Sequence, residues 1–131
     1  MGDRATFAVE THPDKRVYFY AHWTGHNVPK VIQTALSLRE RWNDATYLAR
    51  MLFCHLCHGE EMGTTGFGIG AELDDSSYPI LVLRPAKQIV ELHAYDGDSI
   101  VGAWKKPTVV WTFEEFCGIE DIGWDKLDPA Y

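Results

Sequence analysis

The chain has 131 residues, 46% hydrophobic and 13% aromatic, which excludes a disordered or fibrous chain and fits one domain with a true core. Its net charge of −7 is uneven: residues 1–58 hold seven Lys/Arg against five Asp/Glu and residues 59–131 hold five against fourteen, so the halves carry +2 and −9. A field of that sign repels phosphate backbones, and no basic patch offsets it, so general nucleic-acid binding is not expected.

The start, Met1-Gly-Asp-Arg-Ala-Thr-Phe7, lacks a basic-then-apolar leader, and no apolar run approaches the roughly 20 residues of a spanning helix. The expectation is a soluble protein of the cytoplasm. Three cysteines, an odd number, point to reduced thiols rather than a disulfide framework.

Arg4 to Glu10 alternates like a strand, and Thr11-His-Pro-Asp-Lys-Arg16 is turn chemistry, so a hairpin to Val17–Trp23 is expected. A first helix should begin near Asn27, an N-cap residue type, with Pro29 in its first turn and Val28, Val31, Ile32, Ala35 and Leu36 on one face, Leu38 and Arg39 continuing the turn. Asn43-Asp44 caps a second helix whose stripe is Tyr47, Leu48, Met51, Leu52 and His55/Leu56, with Gly59 as its stop.

Strands are expected at Phe67–Leu73, Ile80–Arg84 and Ile89–Tyr95, the last two as a hairpin. Asp96-Gly-Asp-Ser99 reads as a turn, and Ile100–Trp111 as an ambiguous edge segment broken by Pro107. Thr112-Phe-Glu-Glu115 is a capping box opening a short helix that Gly118 ends. The order β-β-α-α-β-β-β-α predicts an α+β fold: residues 1–119 as a single domain, an antiparallel sheet with two main helices packed on one face and a short C-terminal helix. Residues 120–131 are expected to form an acidic tail, partly ordered at most.

The segments Tyr18-Phe-Tyr-Ala-His-Trp-Thr-Gly25, Arg41-Trp-Asn-Asp44, Tyr47-Leu-Ala-Arg50 and Thr64-Thr-Gly-Phe-Gly-Ile-Gly70 resemble a group of small proteins from tailed phages and prophages. The resemblance spans most of the chain, to about Trp111-Thr-Phe-Glu-Glu-Phe116. That group has no established activity, so no catalytic role transfers. What the resemblance implies is provenance, and with it a host-interaction or anti-defence role.

Cys54-His-Leu-Cys-His58 fits the C-x-x-C-H pattern of haem attachment, but that chemistry belongs to an exported protein, and both cysteines fall in a helical apolar pattern where thiols act as small hydrophobes. Zinc would need a second ligand pair, with Cys117 or His26 as the candidates, and no second knuckle occurs. Neither metal nor cofactor is therefore expected. Gly66-Phe-Gly-Ile-Gly70 lacks the crossover helix of a dinucleotide fingerprint and reads better as a bulge or a close backbone approach. Nucleophile signatures are absent, Ser76-Ser77 lie in a turn, and no catalytic residue is assigned.

The remaining candidate is the strand-to-helix corner. A helix starting at Asn27 aims unpaired N–H groups at its preceding loop, where Gly25 permits close approach by an anion. His22, Trp23, Thr24 and His26 would add donors and a stacking face, and Thr64, Thr65 and Gly66 further hydroxyl and backbone donors. The same residues admit a purely structural account, with Trp23 in the core, His22 bonded in the sheet and Gly25 turning the chain. The functional expectation is a binding protein that sequesters a small anionic or nucleotide-like immune signal at an oligomer interface. Its alternatives are an acidic inhibitor of a host protein or nucleic-acid-binding complex, and a hydrolase of the nucleotide.

Overall fold

The computed structural model describes residues 3–97, 99–100 and 104–131. Strands β1 (Ala5–His12) and β2 (Lys15–Ala21) form the expected hairpin, closed where Asp14 takes positive φ. A 3₁₀ turn (Gly25–Asn27) leads into α1 (Val28–Leu36), and α2 (Ala45–Leu56) follows. Strands β3 (Phe67–Gly70), β4 (Ile80–Arg84), β5 (Ile89–His93) and β6 (Val109–Thr112) complete the sheet, before α3 (Phe113–Cys117) and α4 (Trp124–Leu127).

The strands lie in the order β3-β2-β1-β4-β5-β6. The sheet is mostly antiparallel, as expected, with one parallel pair: β1 runs parallel to β4, Phe7 beside Leu81 and Val9 beside Leu83. The hairpin partner β2 occupies one edge of β1, so β4 enters along the other. β1 thereby becomes central and is buried from Ala5 to Glu10.

Period-2 alternation divides the sheet into two faces. Phe7, Val9, Phe19, Leu81, Leu83, Val90 and Leu92 meet Ile32, Leu36, Leu48, Leu52, Phe113 and Phe116 in the main core, which places both long helices on one face, as expected. On the other face Ala8, Ile80 and Val82 pack with Ile100, Tyr18, Tyr95 and Trp104. From the ambiguous stretch, Ile100 and Trp104 cover this second face, and its regular part, β6, begins only after Pro107 has passed. Residues 101–103 of that stretch, and Asp98 of the expected turn before it, lie outside the described residues.

Beneath the cover runs an ionic chain. Arg84 bonds Glu10 at 2.8 Å and Glu91 at 3.2 Å, and Glu91 bonds His93 Nε2 at 3.0 Å. The Trp104 ring lies edge-on to His93, with the Arg16 guanidinium 4.5 Å from its centre. Burial, only partly opposed by Glu91, holds His93 below the ordinary histidine range.

Both predicted caps away from the corner form: Asp44 accepts from the Tyr47 N–H, and Thr112 and Glu115 cap each other's backbone. Asn27 does not act as expected, because it stands in helical backbone conformation at the end of the 3₁₀ turn and makes no side-chain cap bond. Helix α1 ends at Leu36, and Leu38 and Arg39 continue the turn beyond it, their N–H groups donating to the Ala35 and Leu36 carbonyls at 3.3 and 2.9 Å. The chain from Glu120 is also not a loose tail. Helix α4 buries Trp124 and Leu127 in the main core, and their hydrophobic transfer outweighs the acidic composition around them.

Candidate functional site

The run His22–Asn27 divides at Thr24 into two environments. On the inner side the helix-start donors are already occupied. Gly25 N–H donates to the Asp3 carbonyl at 2.8 Å, His26 N–H to the Asp3 carboxylate at 3.2 Å, and Asn27 N–H to the Thr24 carbonyl at 2.9 Å. The same carboxylate accepts from the Tyr78 hydroxyl and pairs with His26 Nδ1. Burial alone would raise the Asp3 carboxyl, yet the Tyr78 and His26 donors bring it below the usual carboxylate range.

Tyr78 lies flat on Trp124, ring centres 4.8 Å apart, and the Trp124 indole N–H donates to the Gly25 carbonyl at 3.0 Å. Gly25 is buried in this knot. A Cβ there would lie 2.7 Å from the Asp3 carbonyl oxygen and 2.9 Å from both the Arg4 carbonyl carbon and the Tyr78 ring. Asp3 thus supplies acceptors of its own chain at the helix start, its carbonyl to Gly25 and its carboxylate to His26. Gly25 is small because backbone approaches backbone there, and the backbone N–H groups of Gly25, His26 and Asn27 are engaged within the chain, while the side chains of His26 and Asn27 stay exposed.

The outer side is open. Tyr20, His22, Trp23, Thr64, Thr65, Gly66 and Phe67 line a groove of about 410 Å³ on the surface, within the size range of small-molecule sites. Trp23 is 58% exposed, which removes it from the core and leaves an indole face toward solvent. Gly66 makes that placement possible. Its φ is +98°, and a Cβ would come within 2.9 Å of the Trp23 ring, so the indole rests directly on the glycine backbone. The His22 N–H ties the two loops by donating to the Gly66 carbonyl at 2.9 Å.

The His22 ring stands edge-on to Trp23 at 5.0 Å, and its Nδ1 is 2.7 Å from the Tyr20 hydroxyl. When that hydroxyl donates, the ring proton sits on Nε2 as a donor for a ligand. Thr64 and Thr65 form the exposed rim. The surroundings are acidic: Glu72 and Asp74 border Tyr20 on its other flank, and Asp75 pairs with Arg4. Burial is the first cause raising the Tyr20 hydroxyl above its ordinary range, and Asp74 and Asp75 add to it. The groove therefore offers a π-face and hydrogen-bonding groups, with no Lys or Arg among its lining residues.

Of the expected ligand contacts, the structure brings His22, Trp23, Thr64, Thr65 and Gly66 together, and it adds Tyr20 and Phe67. Alternation along β2 was the available signal for Tyr20, which shares a face with Tyr18. Asp3, Tyr78 and Trp124, which close the inner side, come from three distant parts of the chain and carry no local signal.

All three cysteines are free, and burial pushes the Cys57 thiol up, away from reactivity. Among the described residues no three His, Cys, Asp or Glu side chains converge to hold a metal, and no helix is long and apolar enough to cross a membrane. Comparison with protein-family models, curated proteins and solved structures finds no match to this chain.

Proposed function

We propose that the protein acts by binding, as a phage-type host-interaction factor that sequesters a small nucleotide-like molecule with its planar base stacked on Trp23. The observation that carries this reading is the indole itself: a large ring, 58% exposed, held in place by Gly66 and His22 beside a groove of about 410 Å³. Base–aromatic stacking contributes about 1–3 kcal/mol per base, enough to make one such ring the main anchor. His22 and the Thr64/Thr65 rim supply hydrogen bonds to the base edge or sugar.

The acidic border sets the orientation. Phosphates point away from Glu72 and Asp74 into solvent, so a nucleoside and its monophosphate bind with similar strength, unlike at a phosphate-cradling loop.

Native mass spectrometry of protein purified from bacterial cells tests the reading, followed by denaturation and identification of what is released. An intact nucleotide-like molecule supports sequestration, and the same spectrum gives the number of subunits. A chemically altered molecule favours the hydrolase. No small molecule, with salt-sensitive capture of a host protein, favours an inhibitor acting through the acidic second half, whose charge is −9.

A further inference from the structure

Helix α2 carries a broader apolar stripe than the core uses. Leu48, Ala49, Leu52 and Leu56 pack inward, while Tyr47, Met51 and His55, at i, i+4 and i+8, line an open groove of about 450 Å³ with Arg50 and Cys54. The loop after α1 forms its other wall through Leu38, Glu40 and Arg41. Leu38 is 53% exposed and Tyr47 50%, so two large apolar side chains stand in water at one end of this stripe.

The charges along the groove are of one kind except for Glu40. Arg41 lies over the Tyr47 ring at 4.4 Å, and its ion pair with Asp44 is long, at 3.8 Å. Arg50 contacts the Cys54 sulfur at 4.0 Å and has no carboxylate partner among the described residues. Tyr, Met and Arg are the residue types enriched in the cores of protein interfaces, and a guanidinium fork is built to receive a carboxylate. This patch belongs to the chain half with net charge +2, in contrast to the acidic remainder.

We infer that the α2 groove docks an amphipathic helical segment of a partner protein, its apolar stripe laid on Tyr47 and Met51 and its carboxylates set against Arg41 and Arg50. A helix is the matching shape because the receiving side chains repeat at helical spacing over two turns, about 12 Å. The inference is independent of the Trp23 groove, which lies at the other end of the connection from α2 to β3.

The test uses the full chain, ¹⁵N-labelled, and two synthetic peptides of roughly 18 residues with the same leucine stripe, one flanked by glutamates and the other by lysines. The glutamate peptide is expected to shift the backbone signals of Tyr47, Arg50 and Met51, and the lysine peptide to leave them in place. Arg50→Glu, at an exposed position, should weaken the glutamate peptide about tenfold with circular dichroism unchanged. Tyr47→Ala should weaken it through the apolar contact alone.

Equal binding of both peptides, or no shift along the stripe, overturns the inference. So does a concentration-dependent dimer abolished by Tyr47→Ala, which would make a second copy the occupant. Displacement of the peptide by millimolar adenosine monophosphate at the same signals would instead mark a small-anion site.

Discussion

Two halves of one six-residue run behave in opposite ways. From Gly25 to Asn27 the chain is knotted inward by Asp3, Tyr78 and Trp124, with its helix-start donors consumed. At His22 and Trp23 it turns a π-face outward over Gly66. The difference means that a glycine-containing helix start is not by itself a ligand site: its N–H groups demand acceptors, and two carbonyls and a carboxylate of the same chain supply them here. What remains available for a ligand is the part whose polar demands are met while an apolar surface stays exposed.

Breaking the closed half should cost stability. Trp124→Ala removes a stacked, buried ring and the donor to the Gly25 carbonyl, and should lower unfolding free energy by about 3–5 kcal/mol in urea titration. Gly25→Val comes next. The new side chain meets backbone on two sides, and the expected loss is about 1–3 kcal/mol, with binding at Trp23 retained in whatever fraction stays folded.

The closed half should also respond to pH. Burial and then the Asp3 bond push the Tyr78 hydroxyl up to about 12. A group raised in the folded state stabilises fully below its unfolded pKa, so this contribution is intact below about pH 10 and is lost as pH rises through about 12. Asp3 is lowered, so its contribution is intact above the ordinary Asp range and is lost as pH falls below it. Tyr78→Phe should flatten the alkaline slope of the urea midpoint and leave a less stable protein at neutral pH, since its bond to Asp3 is gone.

The smallest effect on stability is expected in the open half. Trp23→Ala should change unfolding free energy by no more than about 0.5 kcal/mol, because the ring is mostly in water, and yet abolish nucleotide binding in calorimetry. A large loss of stability would show that the ring belongs with the core after all.

What was legible in the sequence follows the range of the interactions involved. The Asp44 cap and the Thr112/Glu115 box are local, and both formed at the residues that signalled them. The strand expected over Phe67–Leu73 forms over Phe67–Gly70 and pairs with β2, and Gly59, expected to stop the second helix, takes positive φ just past the helix end at Leu56. The parallel β1–β4 pair joins residues more than seventy positions apart, and no turn chemistry announces it. The second helix was read with Tyr47 and Met51 in its apolar stripe; in the structure the smaller Ala49 packs inward and Tyr47 stands half in water.

At the corner the residues were singled out for free helix-start donors and a close approach at glycine, and the structure divides them between a closed side and an open groove. Trp23 and Gly66 do meet, but glycine serves the indole rather than a phosphate. Gly25 serves backbone packing against Asp3, whose role depends on Tyr78 and Trp124 arriving from far along the chain. A tryptophan beside a glycine loop reads equally as core or as platform, and only the exposure of the ring decides between them.

One spectrum separates the two halves most directly. The indole N–H region of a ¹⁵N–¹H correlation spectrum resolves the tryptophans individually, and it is titrated with adenosine monophosphate and then with adenosine. The account predicts that the Trp23 signal moves with similar affinity for both, while the Trp124 signal, bonded to the Gly25 carbonyl, stays where it is. Movement of Trp124 together with the amides of Gly25 and His26, with Trp23 unmoved, would contradict it and return the ligand to the helix start.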